Sequence, residues 1–111
     1  IIDDEVRWID FAKTDLGTFE IVVAPDAEAA LSELKEDEFA LVIASSRCLG
    51  VLEVIAQEYS DKKVVVTTVQ PTTQEALTVF RLGALRYFPK SFGRRDLLNK
   101  VTEIVAPASV G

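Results

Sequence analysis

The chain is 111 residues long, 49% hydrophobic and 27% charged, with a net charge of −6. That is the size and composition of one domain with its own core, and no apolar run approaches the roughly 18 residues of a membrane span. The absence of histidine and the presence of a single cysteine, Cys48, exclude imidazole bases, most zinc sites and an internal disulfide, while the acidic balance argues against a free-standing nucleic-acid binder.

Ile1 and Ile2 read as the end of a first strand, which leaves room for a natural N-terminus upstream; no signal-peptide pattern is visible. Residues 5–15 predict a helix with Trp8, Phe11 and Ala12 on one face, and Leu16 to Thr18 turn the chain. Phe19 to Ala24 is a short β-rich run. Pro25 is expected at the first position of the next helix, with Asp26 and Glu28 near its positive end and Ala27, Ala30, Leu31 and Leu34 as its apolar stripe. Phe39 to Ala44 is continuously apolar, as in a strand buried on both faces. Leu52, Ile55, Ala56 and Tyr59 mark a third helix, and Val64 to Val66 another buried strand. Pro71 to Thr73 open a fourth helix with Ala76, Val79 and Phe80 inward, which Gly83 is suited to end. Leu85 to Phe88 is a fifth strand. Asp96 to Val105 is a last helix with Leu97, Leu98, Val101, Ile104 and Val105 inward. Residues 1–105 form the domain, and 106–111 read as a tail or the start of a linker.

Strands alternating with helices predict a doubly wound α/β fold with a parallel sheet, of flavodoxin-like (βα)5 type and strand order 2-1-3-4-5. Ligands of such sheets lie beyond the C-terminal strand ends. Asp3, Asp4, Ser45, Thr68 and Lys90 all fall there. An acidic pair, a hydroxyl and a lysine around a further carboxylate would make a phosphoryl-transfer pocket with a divalent metal. The further carboxylate should come from position 45, where serine cannot supply it.

These residues resemble the receiver domains of two-component response regulators. The likeness covers almost the whole chain and rests on Ile-Ile-Asp-Asp-Glu at 1–5, Ala-Leu at 30–31, Phe-x-Leu-Val-Ile around 39–43, Arg-Leu-Gly-Ala-x-x-Tyr at 81–87, and Lys90 with Phe92. The resemblance implies an acidic pair for magnesium at Asp3 and Asp4, a phosphoryl-contacting hydroxyl at Thr68 and lysine at Lys90, and a switch aromatic at Tyr87. Ser45 stands where an aspartate would accept the phosphoryl group. Serine would need a general base, and its phosphate would be a stable ester instead of a labile acyl phosphate. The segment after Ser45 is about two residues shorter than the family pattern, which puts in doubt a metal contact from the Arg47 carbonyl. Ser91 replaces a proline after the lysine and strongly favours a trans bond. Pro89 is unusual just before the lysine.

The resemblance with these departures implies a pseudo-receiver that signals through protein contacts without aspartyl phosphorylation. No cofactor is required, and the acidic pair would hold magnesium weakly or not at all. Lys90 could instead pair with Asp3 or Asp4. The plain alternatives are a helix-capping acidic pair, a locally satisfied Ser45 and Thr68, a half-buried Tyr87 and an inert loop Cys48. A redox role for Cys48 would need Arg47 to lower its pKa.

Charge is unevenly spread. Residues 1–60 hold 14 acidic and 4 basic side chains, and residues 61–111 hold 4 acidic and 8 basic. Arg81, Arg86, Arg94 and Arg95, together with Tyr87, are expected to form an interaction face of the fourth helix, fifth strand and fifth helix. It would serve a protein partner, an attached output domain (a DNA-binding one included) or a homodimer; neither direct nucleic-acid contact nor a membrane is expected. Two other readings remain. One is a phosphorelay-competent receiver with residual magnesium-dependent phosphoryl binding; the other is a purely structural assembly domain. Nothing suggests an enzyme, since no nucleophile elbow or glycine-rich phosphate loop is present.

Overall fold

The apolar runs in the middle of the chain become buried parallel strands. In a computed structural model that describes residues 1–105, β1 (Val42–Ser45) and β2 (Val64–Thr68) are buried at every position. They need cover on both faces, and helices supply it. The third strand, β3 (Arg86–Pro89), closes a sheet of order β1-β2-β3 as its edge, with only Phe88 buried. Pro89, which has no N–H to give a ladder, is tolerated at such an edge.

Among the described residues five α-helices surround the sheet: α1 (Val6–Asp15), α2 (Ala27–Glu36), α3 (Leu49–Glu58, after a single 3-10 turn at Ser46–Cys48), α4 (Thr73–Arg81) and α5 (Asp96–Val105). Side-chain alternation along the strands divides the core in two. Val42, Ala44, Val64 and Val66 point to the α2–α3–α4 layer, with Leu34, Leu52, Ile55 and Val79. Ile43, Val65 and Phe88 point to the α1–α5 layer, with Trp8, Ala12, Leu97 and Val101. Each fully buried valine or leucine contributes about 1.5–3 kcal/mol. No helix among the described residues is long and apolar enough to cross a membrane.

The α/β class and parallel sheet are as expected, but among the described residues the sheet has three strands, not five. The first two expected strands are reduced to parallel bridges, Ile2 to Ala24 on one side and Ile2 to Ala44 on the other. Their backbone bonds are sound: Ile2 N–H donates to the Ile43 carbonyl at 2.8 Å and Asp3 N–H to the Ala24 carbonyl at 3.0 Å. The pairing stops because Ile1 and Ile2 are followed at once by Asp3, Asp4 and Glu5, and because Asp26, the next residue of the other segment that would face this ladder, caps α2 instead.

Pro25 lies outside its helix. Asp26 is the N-cap and accepts the Ala29 N–H at 2.8 Å, so the first helical position is Ala27 and proline stands two residues before its expected place. On α3, Ala56 is exposed and Val51 is buried in its stead. On α4, Phe80 is exposed; only Val79 is fully buried. Gly83 ends α4 as expected, at φ 101°, with its N–H on the Phe80 carbonyl and the Ala84 N–H on the Val79 carbonyl. That pair of bonds is a Schellman motif, which needs the left-handed conformation glycine adopts freely. The expected tail at 106–111 lies outside the described residues.

Candidate functional site

The C-terminal strand ends meet as the topology requires. Ser45 closes β1, Thr68 closes β2, Lys90 follows β3, and Asp3 and Asp4 follow the bridging Ile2. The backbone fixes this edge: Ser45 N–H donates to the Ile2 carbonyl at 2.9 Å and Lys90 N–H to the Thr68 carbonyl at 2.7 Å.

Lys90 and Asp3 form the centre. Their side chains are 3% and 1% exposed, and Lys90 Nζ lies 2.8 Å from Asp3 Oδ2. The two atoms meet at ion-pair distance but off the angle of a hydrogen bond, so both keep unused hydrogen-bonding capacity. Glu5 adds a second carboxylate, with Oε2 at 3.6 Å from Nζ, and its N–H donates to Asp3 Oδ1 at 3.0 Å. Buried charges persist only when paired, so the lysine and Asp3 hold each other in place.

Aromatic side chains cover this pair. Lys90 Nζ is 5.8 Å from the Trp8 ring centroid. Trp8 stacks on Phe11 at 5.6 Å and meets Phe92 edge-on at 5.7 Å, with Phe11 and Phe92 5.3 Å apart. The negative face of the indole favours the nearby ammonium. Trp8 Nε1 is buried without a hydrogen-bond partner.

Asp4 points elsewhere. Its Oδ2 pairs with the Arg47 guanidinium at 2.8 Å, both side chains being more than half exposed. The acidic pair is therefore split, one member facing Lys90 and the other Arg47. Ser45 Oγ accepts the Arg47 N–H at 3.2 Å and caps the short 3-10 turn. Thr68 Oγ1 accepts from the Ser46 hydroxyl at 3.2 Å and from the Gln70 N–H at 3.3 Å. The Lys90–Ser91 peptide bond is trans, and Ser91 Oγ donates to Asp96 at 2.6 Å.

Tyr87 is bound into the start of α4. Thr72 caps that helix by accepting the Glu75 N–H at 3.1 Å. In an ordinary capping box the glutamate side chain would return to the Thr72 N–H. Here the Tyr87 hydroxyl stands between them: it accepts the Thr72 N–H at 3.1 Å and donates to Glu75 Oε1. Burial and the Glu75 carboxylate push the phenol above its ordinary pKa. Burial, with the negative charge of Asp3 and Asp4, raises the Cys48 thiol too and outweighs Arg47. Arg47 therefore does not give Cys48 the lowered pKa that a redox role would need.

Of the expected site residues, Asp3 and Lys90 meet directly, Ser45 and Thr68 are satisfied locally, and Asp4 turns outward. Arg81, Arg86, Arg94 and Arg95 lie on the surface. The sequence reading missed Glu5 as a second partner of Lys90, the Arg47 side chain as the partner of Asp4, and the aromatic cover. Asp15 was also missed. It reaches across the fold to accept the Arg95 and Leu98 N–H groups at 2.8 and 2.9 Å, capping α5 from the end of α1. An aspartate in the last turn of a helix faces an unfavourable dipole, and that misfit was the available signal.

Helices on both faces of a parallel sheet, with an acidic residue, a hydroxyl and a lysine at its C-terminal edge, are the arrangement that the resemblance to receiver domains implies. The chain is 34% identical over 91 residues to response regulator protein FleR of Pseudomonas aeruginosa, a match covering 78% of this chain and 19% of FleR. It thus spans about a fifth of the length of that curated relative. Among solved structures, the receiver domain of NtrX from Brucella abortus matches with a TM-score of 0.84 at 26% identity, covering 97% of both chains. A response regulator from Thermotoga maritima shares the fold with a TM-score of 0.87 at 22% identity, covering 96% of this chain and 94% of its own. No family model matches the chain. The chain belongs with the receiver domains of response regulators.

Proposed function

We propose that this receiver domain signals through protein–protein contact without aspartyl phosphorylation. The observation that carries the reading is Ser45. It ends β1 where an acceptor carboxylate is needed, is 2% exposed, and holds the Arg47 N–H with its only side-chain oxygen. No histidine is present to activate it.

The donor set does not fit a resident magnesium ion. Magnesium favours carboxylate oxygens in near-octahedral geometry. Asp3 gives one oxygen to the Glu5 N–H and the other to Lys90, and Asp4 gives one to Arg47. Among the described residues no group of three acidic, cysteine or histidine side chains is arranged to hold a metal. Two cations of the chain thus neutralise the acids that a metal would otherwise pair. In this reading the Lys90–Asp3 bond holds the domain in one state, and Tyr87, tied to Thr72 and Glu75, keeps α4 in one position. The α4–β3–α5 surface, with Arg81, Arg86, Tyr87, Arg94 and Arg95, is the face offered to a partner or an output domain.

The test is incubation with acetyl phosphate and magnesium, followed by intact-mass spectrometry. The expected result is no phosphorylated species. A phosphorylated product that is labile in base would identify an acyl phosphate and support the phosphorelay-competent alternative. A base-stable product on Ser45 would make the serine an acceptor in its own right and would equally overturn the proposal.

A further inference from the structure

The apolar stripe of α3 runs past the core. Leu52, Ile55, Ala56 and Tyr59, the C-cap, share one side of that helix by their spacing. Leu52 and Ile55 are buried, yet Ala56 is exposed and Tyr59 only half-buried. The stripe ends in a cavity of about 140 Å³. Leu52, Ile55 and Ala56 line it from α3, Val64 from the start of β2, and Leu82 and Gly83 from the end of α4. Small residues keep it open: a Cβ added at Gly83 would meet no atom within 4 Å. Val64 opens its strand, so the cavity lies at the opposite edge of the sheet from Lys90 and Asp3.

Size and lining narrow what it can hold. Six of its nine lining residues have no polar side-chain atom, the exceptions being Tyr59, Ser60 and Lys62. Most of the wall therefore offers water no partner, and an engineered cavity of about 150 Å³ with similar apolar walls holds benzene. Lys62 is the one charged residue of the lining. Its side chain is 8% exposed, while that of its partner Glu38, 2.6 Å away, is 92% exposed. Hydrogen bonding to Glu38 raises the Lys62 pKa, so the ammonium is charged at neutral pH. An ammonium has three donors, and Glu38 takes one of them. A carboxylate so exposed is held weakly and can share the lysine with a second acid.

We propose that this cavity binds a small aromatic carboxylic acid, its single ring between α3 and the end of α4 and its carboxylate on Lys62 Nζ. A few polar groups at the mouth of an apolar pocket orient a ligand in this way. A short aliphatic anion leaves the cavity unfilled, and a neutral ring leaves the lysine unused. Because Leu82 and Gly83 close α4, the bound ring touches the helix that carries part of the contact face. The proposal goes beyond the contact-signalling reading and does not depend on it.

The test is an amide NMR titration of the whole chain with benzoate, with benzamide as the neutral ring and acetate as the anion without one. Saturable shifts are expected at residues 52–60, 62–64 and 82–83, with a Kd of about 1 mM for so few atoms. Benzamide and acetate should bind about tenfold more weakly, a step of about 1.4 kcal/mol. Ala56→Phe, which fills the cavity from an exposed helical position, should abolish binding. Lys62→Met should reduce benzoate to the level of benzamide. Circular dichroism checks that both variants fold. Absence of saturable shifts at about ten times the expected Kd overturns the proposal. So do shifts centred elsewhere, benzamide binding as tightly as benzoate, or benzoate binding unchanged in either variant. None of these outcomes bears on acetyl phosphate labelling, which tests the wider reading separately.

Discussion

Replacing Lys90 by methionine keeps the length and greasiness of the side chain and removes its charge. Asp3, 1% exposed, then keeps the Glu5 N–H and loses the ammonium at 2.8 Å. Breaking a buried ion pair from one side costs about 3–5 kcal/mol. Proton uptake caps that cost. Protonating an ordinary aspartate, of pKa ~3.9, at pH 7 costs roughly three units at about 1.36 kcal/mol each, or about 4 kcal/mol. At pH 5 the same step costs about 1.5 kcal/mol. The sign is fixed by linkage. A buried carboxyl without its cation binds a proton more tightly folded than unfolded, so the variant recovers stability as pH falls. Urea unfolding of both proteins at pH 7 and pH 5 should therefore give a deficit near 4 kcal/mol that shrinks to about 1.5 kcal/mol. Asp3→Asn combined with Lys90→Met should recover most of it, since removing both charges is often neutral. A deficit below about 1 kcal/mol at pH 7, or one that does not change with pH, would refute the reasoning.

Three further outcomes follow from other contacts. Asp15→Ala removes the acceptor of two α5 backbone N–H groups, and loss of this cap should lower stability by about 2 kcal/mol in urea unfolding. Tyr87→Phe strands the Thr72 N–H and should cost about 1 kcal/mol near neutral pH. Because the native phenol is raised, its stabilising contribution is present below the ordinary tyrosine pKa of ~10 and lost as pH climbs through the higher folded value, so the gap between wild type and variant should close in that alkaline range. Ser45→Asp adds a buried carboxylate at the end of β1 and should cost about 2 kcal/mol or more without metal. Magnesium at 100-fold excess over its dissociation constant should return about 2.7 kcal/mol to that variant, while wild-type melting stays unmoved.

Much of the fold was legible because its signals are local. The β-branched run Val64–Val66 and the apolar run ending at Ser45 could only be buried strands, and the polar residues just after them had to gather at one sheet edge. The Pro-Thr-Thr start and Gly83 end of α4 were legible for the same reason. What escaped was set by contacts across the chain. Asp15 caps a helix 80 residues away, and no window of sequence contains both partners. Phe80 reads as core on helical periodicity, yet α4 lies against the sheet edge where only Val79 is covered in full. The partner of Lys90 could be narrowed to Asp3 or Asp4 but not chosen, because Glu5 joins Asp3 and Arg47 takes Asp4 only in three dimensions. The first two strands shrank to bridges where acidic residues and the cap of α2 at Asp26 end the pairing.

The most direct test of a pocket neutralised from within is amide NMR of the wild-type chain, titrated with magnesium and then with beryllofluoride, which mimics a phosphoryl group only when an aspartate holds it. The account predicts no saturable shift at Asp3, Ser45, Thr68, Lys90 or Tyr87. Saturating shifts that start at Asp3 and Lys90 and reach Tyr87 would mean that the pocket still binds and switches, and would contradict it.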